Sequence, residues 1–216
     1  VVDDYLVIEE KGIYSVEKFL MSRRLMYWQA YLHKTSLVAE LILMKILKRA
    51  KELTLKGVQL PCSEPLLFFM QNKVTIDTFD AKTLELFAQL DDFDIIGALK
   101  AWQKQDDFIL SSLSKMIVNR DLLKIKLTSE KVAIEELHPL KERFALENNI
   151  SLLETNYFIF KGKIKNQAYS KEAEPIRILK KDSTIEDVIE SSDQLNLKSL
   201  SKLVTKHYIC FPKQLL

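Results

Sequence analysis

No glycine or proline occurs between Ser15 and Leu53, and this feature constrains the fold most strongly. Glycine and proline are the residues that most often interrupt helices. Apolar side chains recur within the segment at spacings of three and four residues, at Leu37, Leu41, Met44 and Leu47. Because this spacing places side chains on one face of a helix, the sequence predicts one long helix over residues 15–53.

Three further helices are predicted before residue 120, each after an aspartate that can cap its first turn. The candidate caps are Asp77 or Asp80, Asp92 and Asp106. A carboxylate at this position accepts hydrogen bonds from backbone N–H groups that have no partner within the helix. The sequence therefore predicts that residues 1–120 form a helical part.

Beyond residue 120 the pattern changes to the alternation of apolar and polar side chains that is typical of strands. Strands are predicted at 122–127, 156–160, 175–179 and 207–211, with helices at 129–147 and 185–204. The order β-α-β-β-α-β is that of a ferredoxin-like fold. The predicted fold class is thus mainly α, with an α+β ferredoxin-like lobe over residues 121–216 used for regulation or assembly.

Composition excludes several kinds of site. The chain has only four glycines, too few for a glycine-rich phosphate loop, and its net charge of +2 gives no general reason to bind nucleic acid. Cys62 and Cys210 form no CxxC pair, which argues against a structural zinc site. No apolar run suggests a membrane span. We therefore expect a cytoplasmic protein without membrane contact, and the lack of an initiator Met at Val1 suggests the interior of a longer chain.

One stretch, residues 22–34, combines arginine, aromatic, histidine and lysine side chains to an extent that a purely structural helix seldom needs. Arg23, Tyr27 and Tyr31 stand at i, i+4 and i+8 and share a helix face. An arginine beside two tyrosines suits a phosphate joined to a sugar or base. The alternative is that the tyrosines line the core and that Arg23 pairs with a carboxylate, and periodicity alone favours this alternative.

The sequence Tyr31-Leu-His-Lys34, with Arg23 eight residues before Tyr31, resembles the helix that follows the metal-binding core of HD-domain dNTP triphosphohydrolases. Segments 12–19, 90–95 and 120–124 resemble the carboxyl-terminal part of these enzymes in the same order. The family includes bacterial dGTPase-like enzymes and the animal SAM-and-HD-domain enzyme. These enzymes cut a deoxynucleoside triphosphate into deoxynucleoside and tripolyphosphate.

The resemblance implies two nucleotide sites. Arg23 corresponds to the arginine on the substrate phosphates, Tyr31 to the tyrosine at the deoxyribose, and Tyr27 to a neighbouring pocket position. A second set corresponds to residues that hold an activating nucleotide at a subunit interface of a homo-oligomer: His33, Lys34, Arg120 and Lys124. Gln29 and Leu32 depart from the animal enzyme, so neither the base preference nor the activator site follows from the resemblance.

The family's chemistry also implies a divalent metal ion, held by a His, a His-Asp pair and a further Asp. The histidines of this chain are His33, His138 and His207, and none precedes an aspartate. We therefore expect an upstream HD core segment to hold the metal, and we expect this fragment to be inactive by itself. The alternative function is a non-catalytic nucleotide-sensing or oligomerisation module.

Overall fold

The structure is a computed structural model that describes residues 1–133, 135–167, 169–171, 175–192 and 202–215. It is mostly helical with two small sheets. The helices are α1 (Ile13–Met26), α2 (Lys34–Leu55), α3 (Glu64–Gln71), α4 (Ala81–Ala88), α5 (Asp92–Trp102), α6 (Phe108–Val118), α7 (His138–Asn148) and α8 (Val188–Ser191). The strands are β1 (Val7–Glu9), β2 (Lys124–Thr128), β3 (Phe160–Asn166), β4 (Arg177–Leu179), β5 (Ile185–Asp187) and β6 (Val204–Phe211).

The chain divides into two compact units. The first comprises Val1–Ser36, Leu127–Lys131 and Gly162–Tyr208, and the second comprises Leu37–Lys126, Val132–Lys161 and Ile209–Leu216. Neither unit coincides with the predicted ranges 1–120 and 121–216, and the roles assigned to those ranges stay predictions. In the part of the chain that is described, no helix is both long and apolar enough to cross a bilayer.

The long helix predicted over 15–53, for which a kink was an open possibility, is divided at one point. Helix α1 ends at Met26, a π-helical turn follows at Tyr27–Tyr31, and α2 begins at Lys34. The Leu32 N–H donates to the Tyr27 carbonyl, at 2.7 Å, instead of to the carbonyl four residues before it. The break contains no glycine or proline. It arises from a change in the backbone hydrogen-bond pattern and not from a helix-breaking residue.

Aspartates cap α4, α5 and α6, as predicted, but in two of these helices the capping aspartate is one residue away from the predicted one. Asp80 accepts from the Thr83 N–H at 2.8 Å and begins α4. Helix α5 is capped by Asp91, not Asp92, and α6 by Asp107, not Asp106. A run of adjacent aspartates offers several equivalent caps by sequence, and the backbone conformation selects the one in the extended region.

The ferredoxin-like arrangement is not confirmed. Strands β2, β6 and β3 form one sheet, in the order β2-β6-β3. Strand β4 lies in another sheet, where it pairs in parallel with β1 and antiparallel with β5. Neither β1 nor β5 was predicted, since each has only three residues and little alternation. The four predicted strands therefore do not form one sheet, and α+β is the level at which the prediction holds.

Three predicted elements of the carboxyl-terminal half need correction. Residues 154–157 form a 3-10 turn, and strand β3 begins only at Phe160. The helix predicted at 129–147 begins only at His138, as α7, with Pro139 in its first turn, where a missing N–H costs nothing. Of the helix predicted at 185–204, residues 185–187 are strand β5 and α8 covers 188–191. Residues 193–201 lie outside the described residues.

Each unit has an apolar core of its own. In the first unit α1 contributes the buried side chains Ile13, Val16 and Leu20, which cluster with Ile178 of β4 and Val188 of α8. In the second unit the fully buried face of α2 repeats every four residues, at Ile42, Ile46 and Ala50. Burial at this spacing fixes which face of α1 and of α2 remains for other contacts.

Candidate functional site

The π-helical turn at the end of α1 lies beside a cavity of about 590 Å³ in the first unit. Its lining residues are Phe19, Ser22, Arg23, Met26, Tyr27 and Tyr31. The structure thus brings together all three residues predicted to bind substrate. Turns of π type widen a helix locally and are frequent at functional sites.

Arg23 and the two tyrosines form a short stack along the wall of this cavity. The Arg23 guanidinium carbon lies 5.8 Å from the centre of the Tyr27 ring. The rings of Tyr27 and Tyr31 are 5.2 Å apart and inclined at 59°, so they meet in a tilted and not a parallel arrangement. An arginine over one ring face is attracted to the ring electrons and held in position by them.

The alternative reading of these residues, as core tyrosines with an ion-paired arginine, does not fit the geometry. Tyr31 is 57% exposed and Phe19 is 60% exposed, so the side of α1 and of the π-helical turn that carries these residues is not packed as a core. Within the described ranges Arg23 makes no ion pair with a carboxylate. Its charge is therefore available to an anion that enters the cavity.

The cavity combines one cation with a mainly apolar wall. Phe19, Ser22 and Met26 also line the cavity but were not singled out from the sequence. Phe19 stands four residues before Arg23 and Met26 three after it, which is the spacing of a shared helix face, whereas Ser22 is the adjacent residue. This periodicity was a usable signal. Chemically, the site can bind an anionic group at Arg23 while rings and a thioether contact a flat or apolar group.

The residues predicted for an activating nucleotide lie at two places in the chain. His33 and Lys34 are exposed where α2 begins, and the His33 Nδ1 accepts from the Thr35 N–H at 3.3 Å. Arg120 follows α6 with a positive φ of 58°, and Lys124 is the first residue of β2. The first pair belongs to the first unit and the second pair to the second unit, and their common role stays a prediction.

A metal site does not fit the described residues. No group of three or more His, Cys, Asp or Glu side chains among them could hold a metal ion. His138 lies 3.4 Å from Glu142, its neighbour one turn along α7, and the two are strongly exposed. The divalent metal that the resemblance implies therefore has no ligand set in this part of the chain.

Comparison with known proteins identifies the segment that carries the cavity. Residues 1–60 match the family described as HD associated region. This HD-associated segment contains every residue that lines the cavity. Across the whole chain, the protein is 31% identical over 219 residues to an uncharacterized protein, YwfO, from Bacillus subtilis. That match covers 99% of this chain and 48% of the relative, so the chain spans about half of the curated relative's length.

Solved structures resemble the chain over nearly all of its length. A phosphohydrolase from Bacteroides thetaiotaomicron is 44% identical, with a TM-score of 0.89 over 99% of this chain and 53% of the other. A hypothetical protein from Aquifex aeolicus shares the fold at 19% identity, with a TM-score of 0.59 over 100% of this chain and 46% of the other. The HD-associated segment is therefore part of a larger fold that recurs in a bacterial phosphohydrolase.

Proposed function

We propose that this chain forms the nucleotide-contacting part of an HD-type phosphohydrolase that cuts deoxynucleoside triphosphates into deoxynucleoside and tripolyphosphate. The observation that carries the proposal is the shared cavity of Arg23, Tyr27 and Tyr31 within the HD-associated segment. The likeness to a bacterial phosphohydrolase at 44% identity supports the reaction class. The triphosphate substrate rests on the resemblance of residues 23–34, together with segments 12–19, 90–95 and 120–124.

In this proposal each side chain has a separate task. The Arg23 guanidinium donates paired hydrogen bonds to phosphate oxygens and neutralises part of their charge. The Tyr31 ring packs against the deoxyribose, where exposure of 57% leaves its face open to a ligand. Tyr27, between them, keeps Arg23 in place through the contact of 5.8 Å with its ring.

Bond cleavage needs groups that the described residues lack. In HD-type enzymes a divalent metal supplies a polarised phosphate or an activated water. Since the described residues offer no ligand set for it, an HD core segment outside this chain is proposed to hold the metal. The isolated chain is then expected to bind nucleotide weakly and to hydrolyse none.

A second nucleotide is proposed to act as an activator, at an interface between copies of the chain. Its contacts would be His33, Lys34, Arg120 and Lys124. Lys34 and Arg120 are exposed, so their charges are free to meet phosphates. This part of the proposal does not depend on the cavity at Arg23, and a separate experiment tests it.

The test compares Arg23→Ala with Lys18→Ala in the complete protein. Lys18 is exposed on the same helix and does not line the cavity, so its removal controls for a general loss of positive charge. Arg23→Ala is expected to lower kcat/KM for triphosphate hydrolysis by roughly a hundredfold, as expected for the loss of charge-assisted hydrogen bonds. Lys18→Ala should retain the wild-type value. Equal turnover of Arg23→Ala and wild type would contradict the proposed role.

A further inference from the structure

A second cavity, of about 450 Å³, lies in the second unit beside the later turns of α2. It is lined from α2 and its end by Lys45, Lys48, Arg49, Glu52 and Lys56, and from residues 151–157 chiefly by Glu154, Asn156 and Tyr157. None of these residues lines the cavity at Arg23. Four of the lining residues are cationic and two are carboxylates, so the wall of the cavity carries an excess of positive charge.

The cationic side chains share one face of α2. Lys45, Lys48 and Lys56, with the acidic Glu52 between the last two, are spaced by three, four and four residues, which is the spacing of a single helix face, and Lys56 directly follows the end of α2. At 1.5 Å per residue, the backbone positions of Lys45 and Lys56 are about 16 Å apart along the axis. The positive charges therefore form a row and not a single point.

Lys45 is only partly exposed and has no carboxylate partner within the described residues. Its Nζ donates to the Asn156 carbonyl at 2.9 Å and lies 4.6 Å from the centre of the Phe160 ring. A neighbouring cation adds to the positive charge, since the Lys141 Nζ donates to Asn156 Oδ1 at 2.6 Å. Ammonium groups that are this far buried are usually paired with an opposite charge, whereas Lys45 meets a carbonyl dipole and an aromatic ring.

The carboxylates in this cavity are already engaged. Glu52 accepts from the Tyr157 hydroxyl at 2.5 Å and lies 3.9 Å from the Lys48 Nζ. Glu154 accepts from the backbone N–H of Ser151 at 3.0 Å and from its hydroxyl at 2.8 Å. Each carboxylate also faces Arg49, at 3.6 and 3.4 Å.

Arg49 has its principal partner outside the cavity lining, since its Nη2 lies 2.6 Å from Asp107. With Arg49, Glu52, Glu154 and Asp107 satisfying one another, the lysines supply the charge that is left. Lys48 is 65% exposed, which leaves its ammonium group open to a molecule in the cavity.

We propose that this cavity binds an anion that carries several linked phosphate groups, with Lys45 and Lys48 as its principal contacts and Lys56 at one end. A row of ammonium groups suits a chain of phosphates better than a single carboxylate, because each phosphate can then meet its own cation. Free tripolyphosphate and the phosphate chain of a nucleotide share this chemistry. The proposal goes beyond the function proposed for Arg23 and does not depend on it.

The titration of Lys45 provides an independent readout. Burial lowers the pKa of Lys45, and the charges of Lys48 and Lys141 lower it further, while Cys210 and Glu52 act in the opposite direction. An anion beside Lys45 would raise its pKa. Binding should therefore take up a fraction of a proton, and it should become tighter as the pH falls through the lowered pKa of Lys45.

Calorimetric titration of the complete protein with tripolyphosphate, in EDTA to remove divalent metals, tests the proposal. Lys48→Ala and Lys45→Met should each weaken binding by roughly tenfold, as the loss of a charged hydrogen bond would. Lys45→Met keeps the length and apolar contacts of the stem. Lys100→Ala, which removes an exposed lysine of α5 that lines neither cavity, should leave the affinity unchanged.

Repeating the titration with ATP distinguishes the two sources of the phosphate chain. If the lysine variants weaken the binding of both anions equally, the cavity recognises the phosphates alone. A larger loss of affinity for ATP than for tripolyphosphate indicates that the cavity recognises a nucleotide. Loss of binding in Arg23→Ala but not in Lys48→Ala would place the anion in the other cavity and overturn the proposal. The absence of binding to wild type would overturn it as well, while leaving the function proposed for Arg23 untouched.

Discussion

Arg49 donates two hydrogen bonds to the carboxylate of Asp107, from Nη2 to Oδ2 at 2.6 Å and from Nε to Oδ1 at 3.1 Å. The same carboxylate caps α6, because Oδ1 accepts from the Leu110 N–H at 2.8 Å. One aspartate therefore both starts a helix and holds it to α2, at a distance of 58 residues in sequence. This contact gives the second unit a long-range tie that can be tested by mutation.

Asp107→Ala should lower the free energy of unfolding by roughly 2–4 kcal/mol, because it removes a helix cap and leaves a mostly buried arginine without its main partner. Asp80→Ala is the matched control, since Asp80 caps α4 but pairs with no arginine in the described residues. The free energy of unfolding should fall clearly less in Asp80→Ala than in Asp107→Ala. Equal losses in urea denaturation of the two variants would mean that the ion pair adds nothing to the cap.

The stability of the wild-type protein should depend on pH through Asp107. Burial raises the pKa of this carboxyl, but the hydrogen bonds from Arg49 and from the Leu110 N–H outweigh burial, and the pKa is lowered overall. A carboxyl with a lowered pKa in the folded state stabilises the fold fully above its unfolded pKa, about 3.9. This contribution is lost as the pH falls through the lower folded pKa. Asp107→Asn should lack this component in unfolding measured between about pH 5 and pH 2.

Gly162→Ala should destabilise the first unit by about 1–3 kcal/mol, the usual cost of overpacking a buried site. A Cβ atom at Gly162 would overlap the hydroxyl and ring of Tyr208, a buried residue of β6. Gly97→Ala provides the control, because a Cβ there meets nothing within 4 Å and the residue lies inside α5. It should raise stability by roughly 0.5–1 kcal/mol through the helix preference of alanine. In thermal denaturation, Gly162→Ala should therefore melt at a lower temperature than wild type, and Gly97→Ala at a higher one.

Tyr31→Phe and Tyr31→Ala distinguish a ring contact from a hydroxyl contact in the proposed substrate cavity. If the ring packs on the sugar, Tyr31→Phe in the complete protein should keep kcat/KM within about twofold, and Tyr31→Ala should lose roughly tenfold. If the hydroxyl instead binds a polar group, both variants should lose activity equally. Both values come from the same steady-state assay of triphosphate hydrolysis.

Lys34→Ala and Arg120→Ala test the proposed activator site. Each should raise the nucleotide concentration needed for half-maximal activation by roughly tenfold, because each removes a phosphate contact. Lys115→Ala, an exposed lysine of α6 close to Arg120 in sequence, should leave that concentration unchanged. Activation curves identical to wild type in Lys34→Ala and Arg120→Ala would remove both residues from the site.

Local rules predicted the elements whose signals lie within a few residues. The aspartates that begin α4, α5 and α6 could be located to within one residue, because a cap needs only the backbone of the first turn. The helix break at residues 27–33 gave no such signal, since neither glycine nor proline occurs in it. The partners of β4 also could not be predicted, because β1 lies about 170 residues earlier in the chain.

The sequence by itself determined that Arg23, Tyr27 and Tyr31 share a helix face, since a period of 3.6 residues fixes that relationship before any packing occurs. Only the tertiary structure decided that this face stays open as a cavity, because exposure depends on what else in the fold could have covered it. The same holds for the cavity at Lys45 and Lys48. Its opposite wall comes from residues 151–157, roughly a hundred positions away, and no local pattern specifies which distant segment packs against a helix face.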